Sequence, residues 1–124
     1  MSTGNATRGG FAGTPGVGCL ALQLQPGHRS QSELIADIDD GLLVQSVTGL
    51  HSGVNAVSGD FSTGASGMLI SGGQLGAPVR EMTIASTLQR MLLDVAEIGN
   101  DVDWLPMRAA GVSLVIHDVT MSGA

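Results

Sequence analysis

The sequence has little positive charge and a single cysteine. Its five basic residues are all Arg, they are scattered along the chain, and the net charge is −6. Nucleic acids and anionic membranes attract clustered positive charge, so we expect direct binding to neither. Cys19 has no cysteine to pair with, which excludes an internal disulfide. It begins an apolar stretch, where we expect it to be a small core residue.

Long apolar runs and aromatic side chains are also scarce. No stretch approaches the ~20 apolar residues of a membrane-spanning helix, and residues 1–10 are polar and Gly-rich rather than signal-like. These features predict a cytoplasmic protein. Aromatic residues make up 2% of the chain, so a core must be aliphatic. A length of 124 residues suits one domain.

Glycine is abundant, with 19 residues placed between apolar segments rather than at a fixed period. This spacing indicates many tight turns between short strands. Residues 1–18 have no hydrophobic period, and we expect them to form an irregular, Gly-rich arm that continues from an earlier domain. Residues 19–124 are then the folded domain.

The first half of that domain predicts a strand, a helix and a second strand. Leu20, Leu22 and Leu24 alternate along residues 19–25, as on one face of a strand. Ser30 and Glu33 have the spacing of a capping box. The helix that follows has an apolar stripe and a glycine placed to end it. These residues are Leu34, Ile35, Ile38 and Gly41.

A hairpin and a second helix are predicted further on. Strands are expected at residues 42–47, 61–70 and 74–84, the middle one with a break at Gly64 or Gly67. Gly72 and Gly73 form the turn, and Pro78 indicates an edge position or a break.

Apolar residues at helical spacing predict the second helix. Ser86 or Thr87 can cap its start and Gly99 its end. Its stripe, centred on Leu92, is expected to be buried against the sheet: Leu88, Met91, Leu92, Val95 and Ile98. Residues 112–119 predict the last strand. The fold class is therefore α+β, a mostly antiparallel or mixed sheet of short strands with two helices.

A self-sufficient catalytic or metal-binding motif is not evident. The three histidines lack helical i, i+4 spacing, and there is no Cys-x-x-Cys pair. His117 falls in the last predicted strand, where a surface or half-buried position is expected. His51, Ser52 and Asp60 superficially suggest a nucleophilic triad, but adjacent side chains on a strand point in opposite directions. We assign no catalytic residue and no metal ligand.

The segment 49–62 is the most unusual, because it places polar side chains between glycines. Glycines allow the backbone to approach a ligand closely, whereas Asn and Asp also hydrogen-bond within their own turns. The two interpretations stay open. The candidate substrate- or partner-facing residues are His51, Asn55, Ser58, Asp60 and Ser62.

The same segment carries a family resemblance. Residues 53–62, Gly-Val-Asn-Ala-Val-Ser-Gly-Asp-Phe-Ser, resemble a signature of the TldD/PmbA family in its C-terminal domain. The resemblance continues through residues 64–67, the run Pro-Val-Arg-Glu-Met-Thr-Ile-Ala at 78–85, Ile-Gly-Asn-Asp at 98–101 and Val-Thr-Met-Ser-Gly at 119–123. Several motifs match in order, over nearly the whole chain.

This resemblance implies the terminal third of a longer peptidase subunit. Members of the family act as paired subunits, and one of them binds zinc through an earlier His-Glu-x-x-x-His motif and a Cys near its C-terminus. Residues 101–112 hold no Cys, so this chain is similar to the PmbA (TldE) type, and zinc is expected only in a TldD-like partner subunit. The domain would then help to form a chamber that holds peptides, in proteins associated with peptide maturation and labelled modulators of DNA gyrase.

Two alternatives remain at this point. The chain could be a stand-alone peptide- or protein-binding module, or a truncated remnant of a longer chain. Sequence alone does not separate them or name the substrate.

Overall fold

The computed structural model describes residues 4–106 and 108–123. It confirms the α+β class and a mostly antiparallel arrangement. The helices described are α1 (Gln31–Ala36), α2 (Leu50–Gly53) and α3 (Leu88–Leu93). The strands are β1 (Ala6–Thr7), β2 (Gly16–Val17), β3 (Asp40–Thr48), β4 (Asp60–Ser71), β5 (Gln74–Thr87), β6 (Val95–Ile98), β7 (Asp103–Trp104), β8 (Ala110–Gly111), β9 (Leu114–Ile116) and β10 (Thr120–Ser122).

The main sheet has four antiparallel strands in the order β10-β5-β4-β3. Phe61, Thr63 and Ala65 are buried on β4, while the residues between them point outward and are exposed or half-buried. This period of two places one face of the sheet on the core. The remaining strands form the two-stranded pairs β1-β2, β6-β9 and β7-β8.

The β4–β5 hairpin forms as the sequence predicts. Gly72 and Gly73 have φ of 55° and 75°, the left-handed pair that a two-residue hairpin turn needs. β4 is continuous through Gly64 and Gly67, so the expected break is wrong, and register shifts occur there instead. Pro78 lies on β5 outside the short stretch that pairs with β10, in agreement with the predicted edge position.

The capping box predicted for the first helix is confirmed, but its predicted end is wrong. The Ser30 hydroxyl accepts from the Glu33 N–H, and the Glu33 carboxylate accepts from the Ser30 N–H. Leu34 and Ile35 are buried and Ile38 is half-buried. The helix ends at Ala36, because the chain turns at Asp37 and enters β3. Gly41 therefore lies in a strand and does not cap the helix.

The second predicted helix is much shorter than its apolar period suggests. α3 is capped by Thr87, whose hydroxyl accepts from the Arg90 N–H, and it stops before Asp94. Val95 and Ile98 belong to β6, which pairs with β9, so tertiary strand pairing overrides the helical period. Leu92 is 77% exposed, and its predicted burial against the sheet is wrong.

Both ends of the domain also differ from expectation. No strand forms over residues 19–25, which have only an isolated bridge between Leu22 and Ala109. The three alternating leucines there are exposed, as is Cys19, so the strand and the core position for this cysteine are wrong. Within the Gly-rich arm, β1 and β2 pair. The single last strand expected at residues 112–119 is replaced by β9 and β10, separated by a turn in which His117 is exposed.

A hydrogen-bond network joins α1 to the loop after β6 and to the start of β9. The Ser113 hydroxyl donates to Asp101 Oδ2 at 2.6 Å and the Ser113 N–H donates to Oδ1 at 3.1 Å. Gln31 Nε2 donates to Ser113 Oγ at 2.8 Å. The Ser113 hydroxyl is the main reason that the pKa of Asp101 is lowered, because hydrogen bonds to the ionised carboxylate favour it.

This lowered pKa predicts a pH-dependent contribution to stability. The ionised carboxylate stabilises the fold above the ordinary Asp pKa of about 4, and the contribution is lost as the pH falls through the folded-state value. Asp101→Asn should therefore reduce the free energy of unfolding more at about pH 7 than at about pH 3. Urea denaturation at the two pH values measures this. Ser113→Ala is the matched control and should remove most of the Asp101 contribution to the pH dependence, while that of Glu33, whose pKa is also lowered by its hydrogen bonds to Ser30, remains. An equal loss for Asp101→Asn at both pH values would contradict the assignment.

Among the residues described, no helix has the length and apolar character needed to cross a membrane.

Candidate functional site

The candidate residues centre on a hairpin loop at one end of the main sheet, which we call the polar loop (residues 55–60). Val54 and Phe61 form an antiparallel bridge at its base. The Asn55 N–H donates to the Asp60 carbonyl at 2.9 Å, and the Gly59 N–H donates to the Asn55 carbonyl at 2.8 Å. The loop is thus closed by its own backbone.

Asn55 sets the shape of the polar loop through its side chain. Its Oδ1 accepts from the Val57 N–H at 2.9 Å and from the Ser58 N–H at 3.1 Å. This is the turn chemistry for which Asn is favoured. Asn55 therefore has a structural role, whatever else it contacts.

Ser58 and Asp60 form a pair on the exposed side of the loop. The Ser58 hydroxyl donates to Asp60 Oδ2 at 2.7 Å, and the Asp60 N–H donates to Ser58 Oγ at 3.3 Å. Both residues remain exposed. The carboxylate is thus held in one orientation while it stays open to a ligand.

The polar loop is fixed to the start of α3. The Leu88 N–H donates to the Gly59 carbonyl at 2.7 Å, and Gln89 Nε2 donates to the Ser58 carbonyl at 3.3 Å. Gly59 is buried with a φ of 82°, and a Cβ there would collide with the Gln89 side chain. A glycine is therefore required for its conformation, whereas the flexible amide end of Gln89 could be displaced by a side chain there.

The other two candidates lie beside the loop rather than in it. Ser62 is exposed on β4, on the same outward face as Asp60. His51 is exposed on α2, which crosses next to Ser62 because Gly53 lies against the Ser62 carbonyl. Ser52 donates its hydroxyl to the Gly49 carbonyl, and the Asp60 carboxylate is bound by Ser58. The arrangement does not form a nucleophilic triad.

Apolar side chains are also exposed in the polar loop and on α3, and sequence reasoning missed them. Val57 in the loop is 97% exposed, and Leu92 and Leu93 on the adjoining α3 are 77% and 76% exposed. The helical period had placed Leu92 in the core. In the structure α3 ends at Leu93, and both leucines are exposed to solvent.

The donor set for zinc is not assembled in the described part of the chain. No group of three or more His, Cys, Asp or Glu side chains in residues 4–106 and 108–123 has the proximity to hold a metal ion. The residues present do not fit a zinc site, so we assign no zinc-dependent step to them.

The model of the PmbA/TldA metallopeptidase C-terminal domain matches residues 1–123. The chain belongs to this family, and the resemblance carried by its motifs is confirmed.

Individual relatives agree with this assignment. A metalloprotease PmbA homolog from Haemophilus influenzae is 38% identical over 90 residues, covering 73% of this chain and 19% of that protein. TldE from Thermococcus kodakarensis has a TM-score of 0.85 at 27% identity, covering 98% of this chain and 28% of that one. A Thermotoga maritima protein described as a modulator of a DNA gyrase has a TM-score of 0.82 at 30% identity, with 98% and 27% covered. The chain thus spans about a fifth of the Haemophilus relative.

Proposed function

We propose that this chain acts as a non-catalytic C-terminal domain in a peptide-processing metallopeptidase assembly of the cytoplasm. In this proposal it pairs with a zinc-bearing TldD-like subunit and lines part of the chamber that holds the peptide. The zinc belongs to the partner, and the polar loop with Ser62 and His51 faces the peptide or the partner.

The observation that carries the proposal is the large exposed surface of the domain. Its accessible area is 8818 Å². A folded monomer of 12.5 kDa is expected to expose about 6,200 Å². The excess of about 2,600 Å² exceeds the roughly 800 Å² that one partner buries in an interface of standard size. Such a surface favours a domain that is covered by further polypeptide.

The polar loop supports a peptide-facing role for part of this surface. Asp60 presents an oriented, exposed carboxylate next to the 97%-exposed Val57. A peptide offers N–H donors and apolar side chains, which are the groups that such a pair can bind. The relatives that bear the name metalloprotease give the chemistry that the assembly would perform.

Two substitutions separate binding from loop stability. Asp60→Ala removes one exposed hydrogen-bond acceptor, so stability should change by less than about 1 kcal/mol, while peptide hydrolysis by the assembly should fall about fivefold or more. Asn55→Ala leaves two backbone N–H groups without their acceptor and should cost about 1–2 kcal/mol. The assay uses the long subunit that contains this domain, together with its zinc-bearing partner, and measures hydrolysis and urea denaturation side by side.

Asp103→Ala is the matched control, since Asp103 is an exposed aspartate on β7 and is not part of the polar loop. It should leave hydrolysis unchanged. Normal hydrolysis with lowered stability for both Asp60→Ala and Asn55→Ala would reduce the polar loop to a turn and defeat the peptide-facing role.

A further inference from the structure

The core of the domain is open on one side, along what we call the apolar groove. This groove lies between α1, β3 and the segment around β9, and it has a volume of about 770 Å³. Its floor consists of buried core residues, namely Leu34, Ile35, Phe61, Ile70 and Ile84. These are five of the seven buried apolar residues in the described part of the chain. The apolar side chains that remain exposed along the groove are those of Val44, Val47, Leu114 and Met121, at 37–42%.

Aspartates line the same groove. Asp37, Asp39, Asp40 and Asp118 all contribute to it, together with His117, and no Arg does among the residues described. Asp37 pairs with Arg29 at 2.6 Å. For the other three carboxylates, the described part of the chain supplies no ion pair. The groove therefore combines an apolar floor with an excess of carboxylates over basic side chains.

The apolar floor and the carboxylates together restrict which molecules can bind in the apolar groove. A second copy of the chain would bring its own net charge of −6 against the aspartates, and like charges brought together at an interface oppose association. A volume of about 770 Å³ falls within the range of about 300–1,000 Å³ that encloses compact ligands, so several neighbouring side chains fit. The complementary ligand is apolar in the middle and positively charged at its flanks.

We propose that the apolar groove is a docking site for a polypeptide segment whose neighbouring apolar side chains are flanked by Lys or Arg. The apolar side chains complete the open core, and the flanking cations meet Asp39, Asp40 and Asp118. The groove is distinct from the polar loop, and its binding needs no zinc-bearing partner. It can therefore be tested on this chain alone.

The probe is a fluorescently labelled peptide, Lys-Val-Leu-Val-Leu-Lys, titrated with the chain and followed by anisotropy. Saturable binding is expected. Replacing both Lys by Glu should weaken it about fivefold or more, because like charges then meet at the groove. Replacing the four apolar residues by Ser should abolish it, because the core then stays open.

Charge variants test the location of binding. Asp39→Asn with Asp40→Asn should weaken binding of the Lys peptide about two- to tenfold, as expected for two partly exposed ion pairs. The matched control is Glu81→Gln with Asp103→Asn, which removes the same charge at exposed positions outside the groove and should leave binding unchanged. Circular dichroism checks that each variant is folded.

Three results would overturn the proposal. Equal affinity for the Lys and Glu peptides would show that the groove does not select for positive charge. Such a groove would suit a small apolar ligand instead. If the two double variants weaken binding of the Lys peptide equally, the peptide is attracted only by the overall negative charge of the chain. Dimerisation that the Lys peptide does not reverse would show a second copy in the groove.

Discussion

Ile70→Ala should lower the free energy of unfolding by about 2–5 kcal/mol, the range found when a large aliphatic side chain is removed from a core. Ile70 is 2% exposed and lies on the inner face of β4. It is held between Gly41 of β3 and Leu75 of β5. The core has few buried side chains and an open groove, so little surrounding structure can compensate for the loss. Because small domains are stable by only about 5–15 kcal/mol, urea denaturation should show a clear shift of the midpoint.

Leu92→Ala is the matched control for Ile70→Ala. It removes a comparable aliphatic side chain, but Leu92 is 77% exposed on α3. Surface substitutions of this kind usually change stability by less than about 0.5 kcal/mol. A large loss for Leu92→Ala together with a small one for Ile70→Ala would mean that α3 is longer than described and packs on the sheet, as its apolar period predicts.

The elements that the sequence predicted well are those determined by nearby residues. The capping box needs only Ser30 and Glu33, three positions apart, and both of its hydrogen bonds form. The β4–β5 turn needs only two adjacent residues that accept positive φ, and Gly72 and Gly73 supply them. In each case the local chemistry and the final structure favour the same conformation.

The wrong predictions concern segments whose structure depends on distant partners. Val95 and Ile98 fit a helical stripe, but β9 offers them strand pairing, and a pattern of apolar residues does not reveal that partner. Leu20, Leu22 and Leu24 alternate as in a strand, yet the residues described provide no neighbouring strand beyond a bridge at Leu22. Those leucines remain exposed.

The structure brings some of the candidate site residues together and separates others. The structure brings Asn55, Ser58 and Asp60 together in one loop. It places Ser62 on β4 and His51 on a separate short helix. The Asn55 side chain forms hydrogen bonds within its own loop, between residues close in sequence. The presence of Asn in such a segment already indicated this turn. The apolar groove joins elements far apart in the chain, so no local pattern could indicate it.

Gly67→Ala should destabilise the domain by about 1–3 kcal/mol or more, the cost of forcing extra volume into a packed interior. Gly67 is buried on β4, opposite Val44 of β3 and Val79 of β5. A Cβ there would run into the backbone carbonyl of Leu43, which cannot move without breaking the β3–β4 pairing. The register of both neighbouring strands shifts beside this position, so the close approach is part of how the three strands fit together. Urea denaturation and amide hydrogen exchange of β3 measure the effect.

Gly76→Ala makes the same chemical change on the neighbouring strand and is the matched control. A Cβ at Gly76 would lie 3.6 Å from the Leu69 carbonyl oxygen, an ordinary van der Waals contact. Alanine also restricts the unfolded chain more than glycine does, which can stabilise a compatible site by about 0.4–1 kcal/mol. The two variants should therefore differ in sign, with faster exchange in β3 for Gly67→Ala only. If both are equally stable, the backbones of β3 and β4 are further apart at Gly67 than described, and the glycine there is not required by packing.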